Sequence, residues 1–81
     1  MTYRVQLFAA ARQRLGTPWV EIQRPTPLTA AALLHALAVE FPALADLASQ
    51  ARLAIDNHYA ADQMLVPPDA QIALIPPVSG G

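Results

Sequence analysis

At 81 residues the chain has room for one domain and one core. An apolar content of 54% with 14% charged residues marks a compact globular chain rather than a disordered one. Without cysteine there is no disulfide framework, thiolate metal site or cysteine nucleophile, so any sulfur chemistry must use sulfur brought from outside. The net charge is −1, and the basic residues are Arg4, Arg12, Arg14, Arg24 and Arg52, scattered along the chain. That scatter offers no basic patch for nucleic acid or anionic lipid. No signal-peptide pattern opens the chain, and its longest apolar run, residues 30–34, is far shorter than a membrane span. The expectation is a soluble, cytoplasmic protein.

Residues 3–8 alternate, with Tyr3, Val5 and Leu7 on one side and Arg4, Gln6 and Phe8 on the other, the period of a strand with one buried face. Residues 9–15, rich in Ala and Arg, predict a short helix that Gly16 stops. Residues 19–23 read as the hairpin partner of the first strand, ended by Pro25 and Pro27. Thr29 is a suitable N-cap for a helix whose apolar stripe is Leu33, Leu34, Leu37 and Phe41, with His35 and Glu40 off the stripe. Pro42 interrupts that helix, and residues 43–50 predict a shorter one with Leu44 and Leu47 inward.

Residues 52–56 predict a third strand, which the turn residues Asp56, Asn57 and His58 reverse into Tyr59 and Ala60. After a turn at residues 67–70, residues 71–75 alternate again with Ile72 and Leu74 inward. The order predicts an α+β domain in which a main helix packs across a mixed sheet, an arrangement a β-grasp (ubiquitin-like) fold satisfies. The expected division is a domain at residues 1–75 and an extended, flexible tail at residues 76–81.

The tail is Pro76-Pro77-Val78-Ser79-Gly80-Gly81. The prolines favour an extended geometry that keeps it out of the sheet, and glycines without Cβ fit a narrow channel and leave the terminal carbonyl open to attack. A terminal carboxylate can attack an activated phosphate, whereas its own carbonyl becomes reactive only once an oxygen is made a leaving group.

From Val5-Gln6-Leu7-Phe8-Ala9 through Arg12, Leu15-Gly16, the helix at Thr29 and Ile55-Asp56-Asn57 to the Pro-Pro-Val-Ser-Gly-Gly ending, the chain resembles the MoaD branch of the ThiS/MoaD ubiquitin-like family, the small sulfur-carrying subunits of molybdopterin synthase. The resemblance implies that an E1-like (MoeB-like) enzyme adenylates Gly81 with ATP. A sulfur donor such as a cysteine desulfurase then supplies a thiocarboxylate. The tail enters a large catalytic (MoaE-like) subunit and donates sulfur to cyclic pyranopterin monophosphate. It further implies that the chain binds no cofactor of its own and is not an enzyme by itself.

Phe8 lies on the polar side of its strand, and Ile75 lies opposite Ile72 and Leu74 on its own. If the first and last strands pair in parallel, both stand at the root of the tail as an expected partner interface, together with Tyr59. His35 and His58 do not predict a shared catalytic site, and Asp56, His58 and Asp62 lack a spacing specific for a metal, so no metal is expected. The alternatives are a thiamin-pathway (ThiS-like) carrier, a ubiquitin-like protein modifier, which having no lysine could not build chains on its own side chains, and a binding module whose tail acts as a peptide ligand.

Overall fold

The computed structural model describes residues 1–75. The tail residues Pro76, Pro77, Val78, Ser79, Gly80 and Gly81, with the expectations attached to them, lie outside the described residues.

Strand β1 (Thr2–Leu7) buries Tyr3, Val5 and Leu7 and exposes the residues between them. It pairs antiparallel with β2 (Trp19–Gln23), which buries Val20 and Ile22. Between them lies α1 (Ala9–Leu15), closed by Gly16 at φ 69°, a left-handed conformation that a side chain would strain. The alternation of residues 3–8 predicted Phe8 as the last strand residue. Instead the strand ends at Leu7, and Phe8 is the extended residue that caps α1. The chain turns there because Ala9 adopts φ 51°, which no strand accommodates.

Helix α2 (Ala30–Glu40) is the main helix of the second layer. The Thr29 hydroxyl accepts a hydrogen bond from the Ala32 amide at 3.1 Å. The first two amides of the helix donate to carbonyls of the loop that crosses its end, Ala30 to Met64 and Ala31 to Asp62, each at 2.9 Å. The buried face is Ala30, Leu33, Ala36 and Leu37, while Leu34 and Phe41 are only partly covered. The expected leucine stripe is thus rotated toward two alanines, whose small size lets the helix approach the sheet.

The shorter helix expected at residues 43–50 is a 3₁₀ turn (Pro42–Leu44) followed by α3 (Ala45–Ala48), with Leu44 buried and Leu47 partly so. Strand β3 (Arg52–Ile55) and β4 (His58–Tyr59) form a hairpin around Asp56 and Asn57, both at positive φ as a two-residue turn demands. Strand β5 (Ile72–Ile75) lies between β1 and β3, parallel to the first and antiparallel to the second. Among the described residues the strands form one mixed sheet in the order β2-β1-β5-β3-β4, with the helices on one face. This is the expected α+β, β-grasp architecture. No single helix among the described residues is long and apolar enough to cross a membrane.

Candidate functional site

The parallel pairing of β1 with β5 positions the site. Its register sets Val5 beside Ile72, Gln6 beside Ala73 and Leu7 beside Leu74, so Phe8 and Ile75 occupy the next positions along. Strand β5 therefore ends where β1 gives way to α1. On the other flank Arg52 stands opposite Ile75, and Ala54 stands opposite both Ala73 and Tyr59.

With side chains alternating across the sheet, the face away from the helices is laid out by these registers. One lateral row runs Trp19, Gln6, Ala73, Ala54, Tyr59 across all the paired strands. The next row toward the tail holds Phe8, Ile75 and Arg52. Tyr59 is 61% exposed, Phe8 44% and Trp19 38%, while Ile75 is half-buried. The small Ala54 leaves a shallow concavity of about 270 Å³ between Tyr59, Asn57 and Ile75. A second, of about 260 Å³, opens between Arg4, Gln6, Trp19 and the start of β5.

The Phe8, Ile75 and Tyr59 expected at an interface thus belong to one continuous surface around the end of β5. Sequence reasoning omitted Trp19, Arg4 and Arg52 from it. Trp19 shares the outward alternation of Glu21 and Gln23, and that signal was available in residues 19–23.

The polar groups considered for chemistry are used otherwise or stand apart. The Asp56 carboxylate accepts a hydrogen bond from the Gln71 amide at 3.0 Å, and the Gln71 carbonyl accepts one from the Asp56 amide at 2.8 Å, an exchange that ties the hairpin turn to the start of β5. His35 is exposed on α2 and His58 is exposed on β4. Among the described residues no three of His, Asp and Glu come together as metal ligands do. Away from the face, Arg14 reaches from α1 to the Asp46 carboxylate and the Ala43 carbonyl, which joins α1 to the α3 region. The Arg14 hydrogen bond holds the Asp46 carboxyl below its ordinary pKa.

The profile of the ThiS family matches residues 5–81. This chain belongs to the ThiS family. A molybdopterin synthase sulfur carrier subunit from Arabidopsis thaliana is 36% identical to it over 78 residues, which cover 96% of this chain and 81% of that protein. Among solved structures, SAMP1 from Haloferax volcanii superposes with a TM-score of 0.82 at 25% identity, covering both chains fully. A chain from the complex of subunits 1 and 2 of molybdopterin-converting factor from Helicobacter pylori 26695 superposes with a TM-score of 0.67 at 21% identity, also covering both fully. The two superposed structures share the β-grasp architecture with this ThiS family chain.

Proposed function

We propose that this chain is the sulfur-carrier subunit of a molybdopterin synthase, and that the Gly81 carboxylate is its working group. The carboxylate oxygen attacks the α-phosphorus of ATP in an E1-like enzyme, which releases pyrophosphate and leaves an acyl adenylate. The outer sulfur of a persulfide on a donor such as a cysteine desulfurase forms the new C–S bond as the bond to AMP breaks. A thiol then cleaves the S–S bond of the resulting acyl disulfide, releasing the thiocarboxylate and leaving a disulfide with the donor cysteine. The large catalytic subunit takes up residues 76–81, with Pro76, Pro77, Val78, Ser79 and Gly80 lying in its channel. There the sulfur passes to cyclic pyranopterin monophosphate and the carboxylate is restored. The catalytic side chains belong to that partner, and this chain binds no cofactor or metal of its own.

The observation that carries this reading is the end of β5. The parallel register ends with Leu7 beside Leu74, so Ile75, the residue before the tail, and Phe8 each come one position further along, and Tyr59 is exposed on the flanking hairpin. A partner that grips this face is already aligned to receive the tail. The 36% identity to a named sulfur carrier supports the same reading.

The test is to prepare the full-length Gly81 thiocarboxylate and mix it with the large synthase subunit and cyclic pyranopterin monophosphate. Dithiolene formation with return of the carrier to the carboxylate is expected, and Gly81→Ala should lower sulfur transfer by at least about tenfold, since a methyl group crowds both channel and carbonyl. A stable thiocarboxylate in the presence of active partner would overturn the reading. Likeness to SAMP1, named a small archaeal modifier protein, favours protein modification as the second reading. It predicts adducts to partner lysines that survive a denaturing gel, and the thiamin-pathway alternative predicts transfer to a thiazole synthase instead.

A further inference from the structure

Four of the five arginines of this chain are used in two different ways. Arg14 and Arg24 are paired with carboxylates of the helical layer, Asp46 and Glu40. Arg4 and Arg52 have neither an ion pair nor a hydrogen bond from their side chains among the described residues. Instead each lies over an aromatic ring of the exposed sheet face. The guanidinium carbon of Arg4 is 3.7 Å from the centre of the Trp19 ring, and that of Arg52 is 4.6 Å from the centre of the Tyr59 ring.

A guanidinium held over a ring is oriented, and none of its five N–H donors is matched by the ring. Here two such groups bracket the small and apolar residues Ala73, Ala54 and Ile75. Arg4 is on β1 and Arg52 on β3, two strand spacings apart and offset by four residues, which sets their Cα positions about 16 Å apart. Glu21, across from Arg4 on β2, brings a carboxylate to this face but makes no ion pair within 4.0 Å. Asp56, which follows Arg52 and Ala54 in the same alternation, adds a second exposed carboxylate, whose oxygen accepts from the Gln71 amide. Arg4 and Arg52 thus stand out by having no ion pair among the described residues rather than by a net positive field.

We infer that Arg4 and Arg52 are specificity-determining contacts, each receiving a carboxylate from the protein that takes up the tail. The inference rests on the docking reading given above and adds the partner's chemistry: an apolar patch that covers Ile75 and Ala73, flanked by two acidic side chains spaced to meet the arginines. Stacking on Trp19 and Tyr59 orders both side chains before docking, so less conformational freedom is lost on binding. Charges at the rim of an interface act mainly on the association rate and are screened by salt, which gives the arrangement a signature that packing alone lacks.

The experiment measures association of the full-length chain with the large synthase subunit of the same organism, by stopped flow and calorimetry at about 50 mM and about 500 mM salt. Arg4→Gln and Arg52→Gln should each weaken binding about fivefold at low salt through a slower association rate, and the loss should shrink below about twofold at high salt. Arg12→Gln, which removes an exposed arginine on α1, should bind as the parent does. Thermal unfolding of each variant confirms that the fold is intact. Equal binding by the Arg4, Arg52 and Arg12 variants would overturn the inference while leaving the docking reading in place. A loss independent of salt would overturn it too, because the contacts would then be packing. Failure of the parent chain itself to bind would overturn the docking reading and this inference together.

Discussion

The two faces of the sheet are made by the same strands and the same alternation, yet they differ in what they tolerate. The inward face holds Tyr3, Val5, Leu7, Leu53, Ile72 and Leu74, all essentially inaccessible, under the Leu33 and Leu37 side of α2. Its stabilisation comes from removing apolar area from water, and no charged residue enters it. The outward face mixes Trp19, Phe8, Tyr59 and Ile75 with arginines at positions where the monomer gains little from apolar groups. Single exposed apolar residues such as Val39 and Leu65 are ordinary, but the exposed aromatic residues Phe8, Trp19 and Tyr59 gather on this one face, which makes it a candidate contact surface. One face accounts for stability, and the other is the face proposed for recognition.

That division can be broken most forcefully from the inside. Leu37→Ala should lower unfolding free energy by about 2–5 kcal/mol, read from the denaturant midpoint, because the packed sheet beneath cannot collapse into the space left. On the outer face Ile75→Asp should cost under about 1 kcal/mol in the same assay, while it weakens binding to the large subunit at least about tenfold by placing a charge against an apolar partner. If Ile75→Asp unfolds the domain instead, the faces are not separable.

A smaller effect of opposite sign is expected at Tyr3, whose buried hydroxyl has no hydrogen-bond partner among the described residues. Tyr3→Phe should raise stability by about 1 kcal/mol, with the gain visible in thermal unfolding and no change in partner binding. The smallest effect concerns Asp46. Its pKa is lowered in the folded chain, so its link to Arg14 stabilises at neutral pH and that contribution fades as pH falls below about 4. Asp46→Asn should be slightly less stable than the parent at pH 7 and indistinguishable from it once the parent's carboxylate is protonated, as judged by denaturation across that range.

The architecture was legible because local signals agreed with one another. Alternation at residues 3–7, 19–23 and 72–75, the glycine at position 16, the Thr29 cap and the Asp56-Asn57 turn each reappear in the fold. Two errors share a cause. Alternation cannot say where a strand stops, so Phe8 was assigned to β1 although the backbone at Ala9 had already turned. A leucine pattern cannot register a close approach, so Ala30 and Ala36 were overlooked as the residues that let α2 lie near the sheet. The exposed surface was only partly legible. Phe8 and Ile75 stood out as apolar residues on the polar side of their own strands, but Arg4 with Trp19 and Arg52 with Tyr59 are partnerships between strands that only the register reveals. The roles proposed for Gly80 and Gly81 rest on the sequence and on family membership.

The placement of β5 also has a mechanical consequence. The strand that leads into the tail is gripped on both sides, by β1 and by β3, with ladder hydrogen bonds running across the strand direction. A partner that draws on the tail along the strand axis loads those bonds in shear, all at once, rather than peeling them one by one as it would from an edge strand. The strand that precedes residue 76 is thus moored in the middle of the sheet, an anchorage that would hold under the pull of the partner proposed above.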